Sequence, residues 1–193
     1  RLVGSEMCIR DRLYNPAKKY ETPGDMQDIP RPIIGYMGTI NSTRLDGELL
    51  YQIISQRPDY SFVFTGPEDD IFRRNRIHSL KNAYFTGQKK VDELPAYIAA
   101  YDVCINPQMV NEITDGNYPL KIDEYLAMGK PTVATSTHTM RNIFAGHTHL
   151  ATNLGEWLSA IDRAVTEADD KKLAKQRIAF AETHSWGHSV KKI

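Results

Sequence analysis

Residues 115–135, DGNYPLKIDEYLAMGKPTVAT, hold the chain's most concentrated set of groups able to do chemistry. A Pro119-Leu120-Lys121 turn leads into a run with helical spacing, and Glu124 lies about one turn inside it. Gly129-Lys130-Pro131 then breaks the run before a short β-branched stretch. The first N–H groups of a helix have no partner within it, and its dipole favours negative charge at that end. A phosphate suits such a position, and Lys121 adds a cation. A carboxylate beside a polyphosphate has no use for more negative charge, but it accepts hydrogen bonds from hydroxyls, two at once from a ribose diol. The spacing predicts a site for phosphate joined to sugar. Each residue also has a plainer role. Glu124 on a wet face is an ordinary surface glutamate, although Ile122, Tyr125, Leu126 and Met128 surround it. Lys121, three residues earlier, makes either a surface ion pair with Glu124 or a point charge for phosphates; both roles stay open at this point.

Such a site needs elements to hold it. Short apolar runs at 33–38, 60–65, 83–86, 103–106 and 132–135 read as strands, with a sixth at 149–151. Helical spacing marks 45–56, 70–80, 92–101, 120–128, a short piece at 139–145, and two closing helices at 155–168 and 170–184. Strands alternating with helices predict an α/β, Rossmann-like, doubly wound parallel sheet of about six strands with helices on both faces. Ligands of such sheets bind outside the carboxyl ends of the strands. Three of those ends carry glycine, Gly38, Gly66 and Gly87, where a backbone can approach a ligand closely or simply turn. Gly38-Thr39 with Arg44 suits an anion, Asp46 suits a helix cap, and the loop at Gln88, Lys89 and Lys90 either meets a base or is a solvated turn.

Composition narrows the function classes. With 24 basic and 24 acidic residues among 193, the chain has no basic face for nucleic acid. No apolar run has the length of a membrane span. Two cysteines without CxxC spacing imply neither a disulfide framework nor a zinc site, and His147-x-His149 lacks a third ligand at metal spacing. No metal or cofactor is expected, and the expected setting is cytoplasmic, with peripheral contact at a membrane's inner face as an option. No GxSxG, P-loop or GxGxxG sequence occurs. Residues 1–12, RLVGSEMCIRDR, resemble the in-frame translation of a transposon adaptor from short-read sequencing libraries. On that expectation Cys8 is not biological and the true gene extends upstream. The proline-rich stretch 13–31 then reads as a lead-in from a missing N-terminal domain, and 32–193 as a nucleotide-sugar-binding domain.

Five pieces in order resemble the C-terminal, donor-binding half of GT-B fold glycosyltransferases of the retaining group 1 type. They are IIGYMGTI (33–40), PDYSFVFTGP (58–67), NAYFTGQKKVDELPAYIAAYDVCINP (82–107), NYPLKIDEYLAMGKPTVAT (117–135) and HSWGHSV (184–190). The resemblance implies a UDP-sugar or GDP-sugar donor and an acceptor sugar or lipid-linked glycan held by the absent N-terminal domain. It matches Glu124 to the second glutamate of an E-x7-E motif, which binds the donor ribose. The first glutamate falls on Gly116, a departure that leaves Asp115 or Asn117 as substitutes. Tyr118, Pro119 and Leu120 match the loop whose amides hold the phosphates. Thr39 sits where arginine is common in the family, with Arg44 as a partial replacement, so the groups expected to carry catalysis are Lys121 and Arg44. Alternatives from the same resemblance are a GT-B-type nucleotide-sugar epimerase and a non-catalytic nucleotide-binding domain.

Overall fold

The computed structural model describes residues 13–184. Strands β1 (Ile33–Met37), β2 (Ser61–Thr65), β3 (Ala83–Gly87), β4 (Val103–Asn106), β5 (Thr132–Thr135) and β6 (His149–Ala151) form one sheet in the order β3-β2-β1-β4-β5-β6. Every neighbouring pair is parallel. The residues of β1, β2, β4 and β5 are all buried. A strand covered on both faces has no wet side to show, which is why these segments read as near-continuous apolar runs rather than alternating ones.

Among the described residues six α-helices flank the sheet: α1 (Gly47–Ser55), α2 (Asp70–Arg73), α3 (Leu94–Ala100), α4 (Leu120–Ala127), α5 (Leu154–Thr166) and α6 (Lys171–Glu182). Successive strand residues point to opposite faces, and two cores result. On one face Ile34, Phe62 and Val133 pack with Leu50 and Ile53 of α1 and Trp157 and Ile161 of α5. On the other, Ile33, Val63 and Cys104 pack with Ile98 of α3 and Ile122, Tyr125 and Leu126 of α4.

The helix expected over 70–80 is not continuous. It divides into the single turn of α2 and a 3-10 turn at Arg76–Ser79. Asn75 is the cause: its side chain accepts the Ile77 N–H at 3.0 Å and restarts the chain as a new cap. The helix expected over 92–101 likewise opens with a 3-10 turn, Val91–Glu93, before α3. The short piece near 139–145 is a π-helical turn, Met140–Phe144. The lead-in lies against the domain, with Tyr14 and Met26 buried in the second core. Residues 1–12, and all but the first residue of the 184–190 match, lie outside the described residues.

Candidate functional site

Sheet order locates the site. The chain runs from β1 outward to β2 and β3 on one side, then returns to lay β4, β5 and β6 on the other. At such a reversal the loops after the two central strands leave in opposite directions and open a crevice. A cleft of about 800 Å³ lies there, beyond the carboxyl ends of β1 and β2 and bounded by the start of α4.

The strand tips form its floor. Gly38 has φ +138° and Gly66 φ +146°, a region side-chain-bearing residues avoid. A Cβ on Gly66 would lie 1.9 Å from the Gly38 carbonyl oxygen, and one on Gly38 would lie 2.7 Å from Lys121 Nζ. The tips are therefore laced together by backbone alone. The Gly38 N–H donates to the Thr65 carbonyl at 2.9 Å, and the Gly66 N–H to the Gly87 carbonyl at 3.0 Å.

Helix α4 forms one wall, and a buried tyrosine fixes its position. The Tyr125 hydroxyl accepts the Met37 N–H at 3.0 Å and donates to the Ile105 carbonyl at 3.3 Å, joining α4 to β1 and β4 at the reversal point. Burial pushes this phenol well above its ordinary range, so it remains a neutral donor. With Tyr125 seated, the first turn of α4 meets the tip of β1. Lys121 Nζ donates to the Tyr36 hydroxyl at 2.7 Å and lies 4.1 Å from that ring's centroid. The Tyr36 hydroxyl in turn donates to the Thr39 carbonyl at 3.0 Å. Glu124, half-buried, lines the same wall. Pro119 precedes α4 and gives it no side-chain cap; backbone carbonyls serve two of the first N–H groups, Leu120 donating to Tyr118 at 3.2 Å and Ile122 to Pro119 at 2.9 Å.

Of the residues expected at the site, Gly38, Thr39, Arg44, Gly66, Gln88, Asn117, Tyr118, Pro119, Leu120, Lys121 and Glu124 all line this one cleft. Gly87, Asp115 and Gly116 do not. Asp115 turns away, its carboxylate accepting the His138 N–H at 2.8 Å ahead of the π-helical turn. Gly116 is exposed, with nothing within 4 Å of where a Cβ would be. Sequence reasoning missed Tyr36, Asn41 and Gln108, which also line the cleft. Tyr36 reads as one more apolar residue of a buried strand; a tyrosine next to a strand-ending glycine was the available signal. Lys89, in the loop after β3, is drawn aside by the lead-in: its ammonium pairs with Asp25 at 2.8 Å. Burial disfavours the charged Asp25, but hydrogen bonds from Lys89 and Tyr97 outweigh it and hold the carboxyl below its usual range.

His147 and His149 have separate partners. His147 stacks on Phe180 at 3.8 Å, and His149 Nε2 lies 3.0 Å from Glu167 Oε1. Among the described residues no three His, Cys, Asp or Glu side chains gather as a metal site requires. No helix among them is long and apolar enough to cross a membrane.

A sequence model of the family described as "Glycosyl transferases group 1" matches residues 31–168. The chain belongs to this family. This group 1 glycosyltransferase domain is 26% identical over 187 residues to TuaH of Bacillus subtilis (strain 168), whose name assigns it to teichuronic acid biosynthesis as a glycosyltransferase. The match covers 94% of this chain and 47% of that protein. The chain thus spans about half the length of this relative. Among solved structures, a glycosyltransferase from Rickettsia africae ESF-5 superposes with a TM-score of 0.74 at 17% identity, over 94% of this chain and 52% of that one. Anabaena Alr3699/HepE in complex with UDP superposes with a TM-score of 0.69 at 14% identity, over 95% and 55%. These likenesses establish the fold: a six-stranded Rossmann-like domain as found in GT-B glycosyltransferases.

Proposed function

We propose that this domain binds the nucleoside-diphosphate sugar donor of a retaining glycosyltransferase, in the cleft between the tips of β1 and β2 and the start of α4. The observation that carries the reading is the junction of three features: strand tips bare of side chains, an uncapped helix start bearing Lys121, and Glu124 one turn further along. The diphosphate lies against the start of α4, near the positive end of its dipole and the Lys121 ammonium. Glu124 accepts the two ribose hydroxyls. HepE is known in complex with UDP and with UDP-glucose, which supports a UDP-sugar as the first donor to test, with a GDP-sugar as the second.

In the reaction, the bond from the sugar's anomeric carbon to the diphosphate oxygen breaks, and a bond to an acceptor hydroxyl oxygen forms with the same configuration. Negative charge builds on the leaving diphosphate, whose departing oxygen takes the proton that the acceptor hydroxyl gives up. Lys121, Arg44 at the cleft's rim and the α4 dipole oppose that charge where it develops. The acceptor side belongs to a second domain. Ile71, Val91, Val110, Ile113, Leu120 and Ile143 are exposed, and every one lies in a segment that follows the carboxyl end of a strand. Of these, Val91 and Leu120 line the cleft, and exposed apolar residues at a cleft suit a covering partner. Titration of the folded chain with UDP and GDP tests the reading; it predicts binding of one of them, and no binding of either would overturn it.

A further inference from the structure

The loop leading into α4 contains no helix or strand from residue 107 to 119; its first residues are bonded to the segment before α1 and to β5, and three further ties hold the rest. The first is internal: Asn111 Oδ1 accepts the Ile113 and Thr114 N–H groups at 2.9 and 3.0 Å, and the Thr114 hydroxyl donates to the Met109 carbonyl. The second is the Asp115 bond to the His138 N–H. The third reaches furthest. The Tyr118 hydroxyl donates to Asp123 Oδ2 at 2.5 Å, and Asp123 Oδ1 lies 2.8 Å from His184 Nδ1, 61 residues away beyond α6. Burial first, and the bond to Asp123 second, push the Tyr118 phenol far up, so it stays a donor. Aromatic rings brace the two ends of this chain of contacts: the Phe144 ring centroid lies 5.7 Å from those of both Tyr118 and His184, and that of Phe180 lies 4.6 Å from that of His184.

Tyr118 sits between Asp115 and the first turn of α4, where the backbone N–H groups of the cleft begin. Its ring can hold that backbone in one arrangement only while its hydroxyl is anchored. We propose that Asp123 and His184 are positioning residues for the donor cleft, acting through Tyr118: the carboxylate clamps the hydroxyl, the histidine clamps the carboxylate, and the loop arrives with its N–H groups already placed. This rests on the donor-site reading above. None of the three groups needs to touch the sugar. Their contribution is pre-organisation, which raises affinity by removing the cost of ordering the loop on binding.

UDP titration of the 193-residue chain and its variants tests the relay. Tyr118→Phe, Asp123→Ala and His184→Ala are each expected to weaken UDP binding about three- to tenfold, with melting temperatures close to the parent's. Because the three act in series, Tyr118→Phe combined with His184→Ala should be no weaker than either alone. Asp123→Asn, which keeps an acceptor for the Tyr118 hydroxyl, should recover part of the loss. If Asp123→Ala lowers the melting temperature, Tyr118→Phe still carries the expectation, since it removes one hydroxyl from a partly exposed ring. Equal UDP affinity in Tyr118→Phe and the parent overturns the relay, as do additive losses in the double variant. A folded parent that binds neither UDP nor GDP overturns the donor-site reading and the relay with it.

Discussion

Helices α1, α2, α5 and α6 each begin on an Asp or Asn whose side chain accepts a first-turn N–H. Asp46 takes Leu49 at 3.0 Å, Asp69 takes Phe72 at 2.8 Å, Asn153 takes Glu156 at 3.0 Å, and Asp170 takes Lys172 and Leu173 at 2.9 and 3.0 Å. Helix α3, entered directly from a 3-10 turn, has no side-chain cap, and α4 begins on Pro119, which offers no such acceptor either. A cap is worth about 1 kcal/mol to a helix, so its omission at α4 is a local loss of stability. The start of α4 faces the cleft, and Lys121 from its first turn reaches the tip of β1. The four capped starts use their donors for the fold. The start of α4 has no side-chain cap, only backbone acceptors for the Leu120 and Ile122 N–H groups, and Tyr125 ties that helix to β1 and β4; under the proposed function this bare end faces the diphosphate.

Giving α4 a cap is the strongest way to break this contrast. Pro119→Asp places a carboxylate where the diphosphate is proposed to lie. UDP affinity should fall at least about tenfold, because a tenfold change is only about 1.4 kcal/mol and charge at a helix N-terminus is worth up to about 2 kcal/mol. Calorimetric titration checks this, and undiminished affinity would remove the functional meaning of the bare start. Tyr125→Phe attacks the anchorage. It leaves the buried Met37 N–H without its acceptor, which costs about 1–3 kcal/mol, read as a lower denaturation midpoint. Asn153→Ala is the matched control at a capped start. It should cost about 1 kcal/mol of stability and leave UDP affinity unchanged within about twofold, so that stability and binding separate.

The smallest effect is one of pH. Hydrogen bonds from Ser42, then from the Phe72 and Ser42 N–H groups, hold the Asp69 carboxyl below its usual range. A depressed carboxyl contributes stability that is fully present above the ordinary carboxylate pKa and is lost as pH falls through the lower, folded value. Acidification from neutrality to about pH 3 should therefore loosen the start of α2. Asp69→Asn, which keeps an acceptor but no titrating group, should flatten part of that dependence in melting curves.

Much of this contrast was legible in the sequence. Strands 103–106 and 132–135 are short, mostly apolar or β-branched runs between breakers, and both appear with those bounds. Gly38 and Gly66 stand out because only glycine serves where the chain turns at positive φ against another backbone. Glu124 and Lys121 follow from spacing on one short helix. What escaped depends on contacts between distant segments. Tyr36 and Tyr125 are buried tyrosines in apolar runs, and nothing local reveals that one hydroxyl meets Lys121 and the other bridges two strands. Asp123 and His184 are 61 residues apart, and their pairing requires α6 to pack along α4. The helix over 70–80 was overcalled because charge and apolar spacing continue across it, while a single Asn75 side chain competes for the backbone. Asp115 was placed nearer the cleft than it lies, since proximity in sequence to Tyr118 does not fix which way the loop turns.

The account's central claim is that the uncapped start of α4 and Glu124 together hold a nucleoside diphosphate. Calorimetric titration of UDP and GDP into the parent chain and into Glu124→Ala tests it most directly. The account predicts that the parent binds one of the two and that Glu124→Ala binds it about ten- to a hundredfold more weakly, the range expected for charge-assisted hydrogen bonds of about 1.5–3 kcal/mol. A folded parent that binds neither nucleotide, or a Glu124→Ala chain that binds as tightly as the parent, would contradict it.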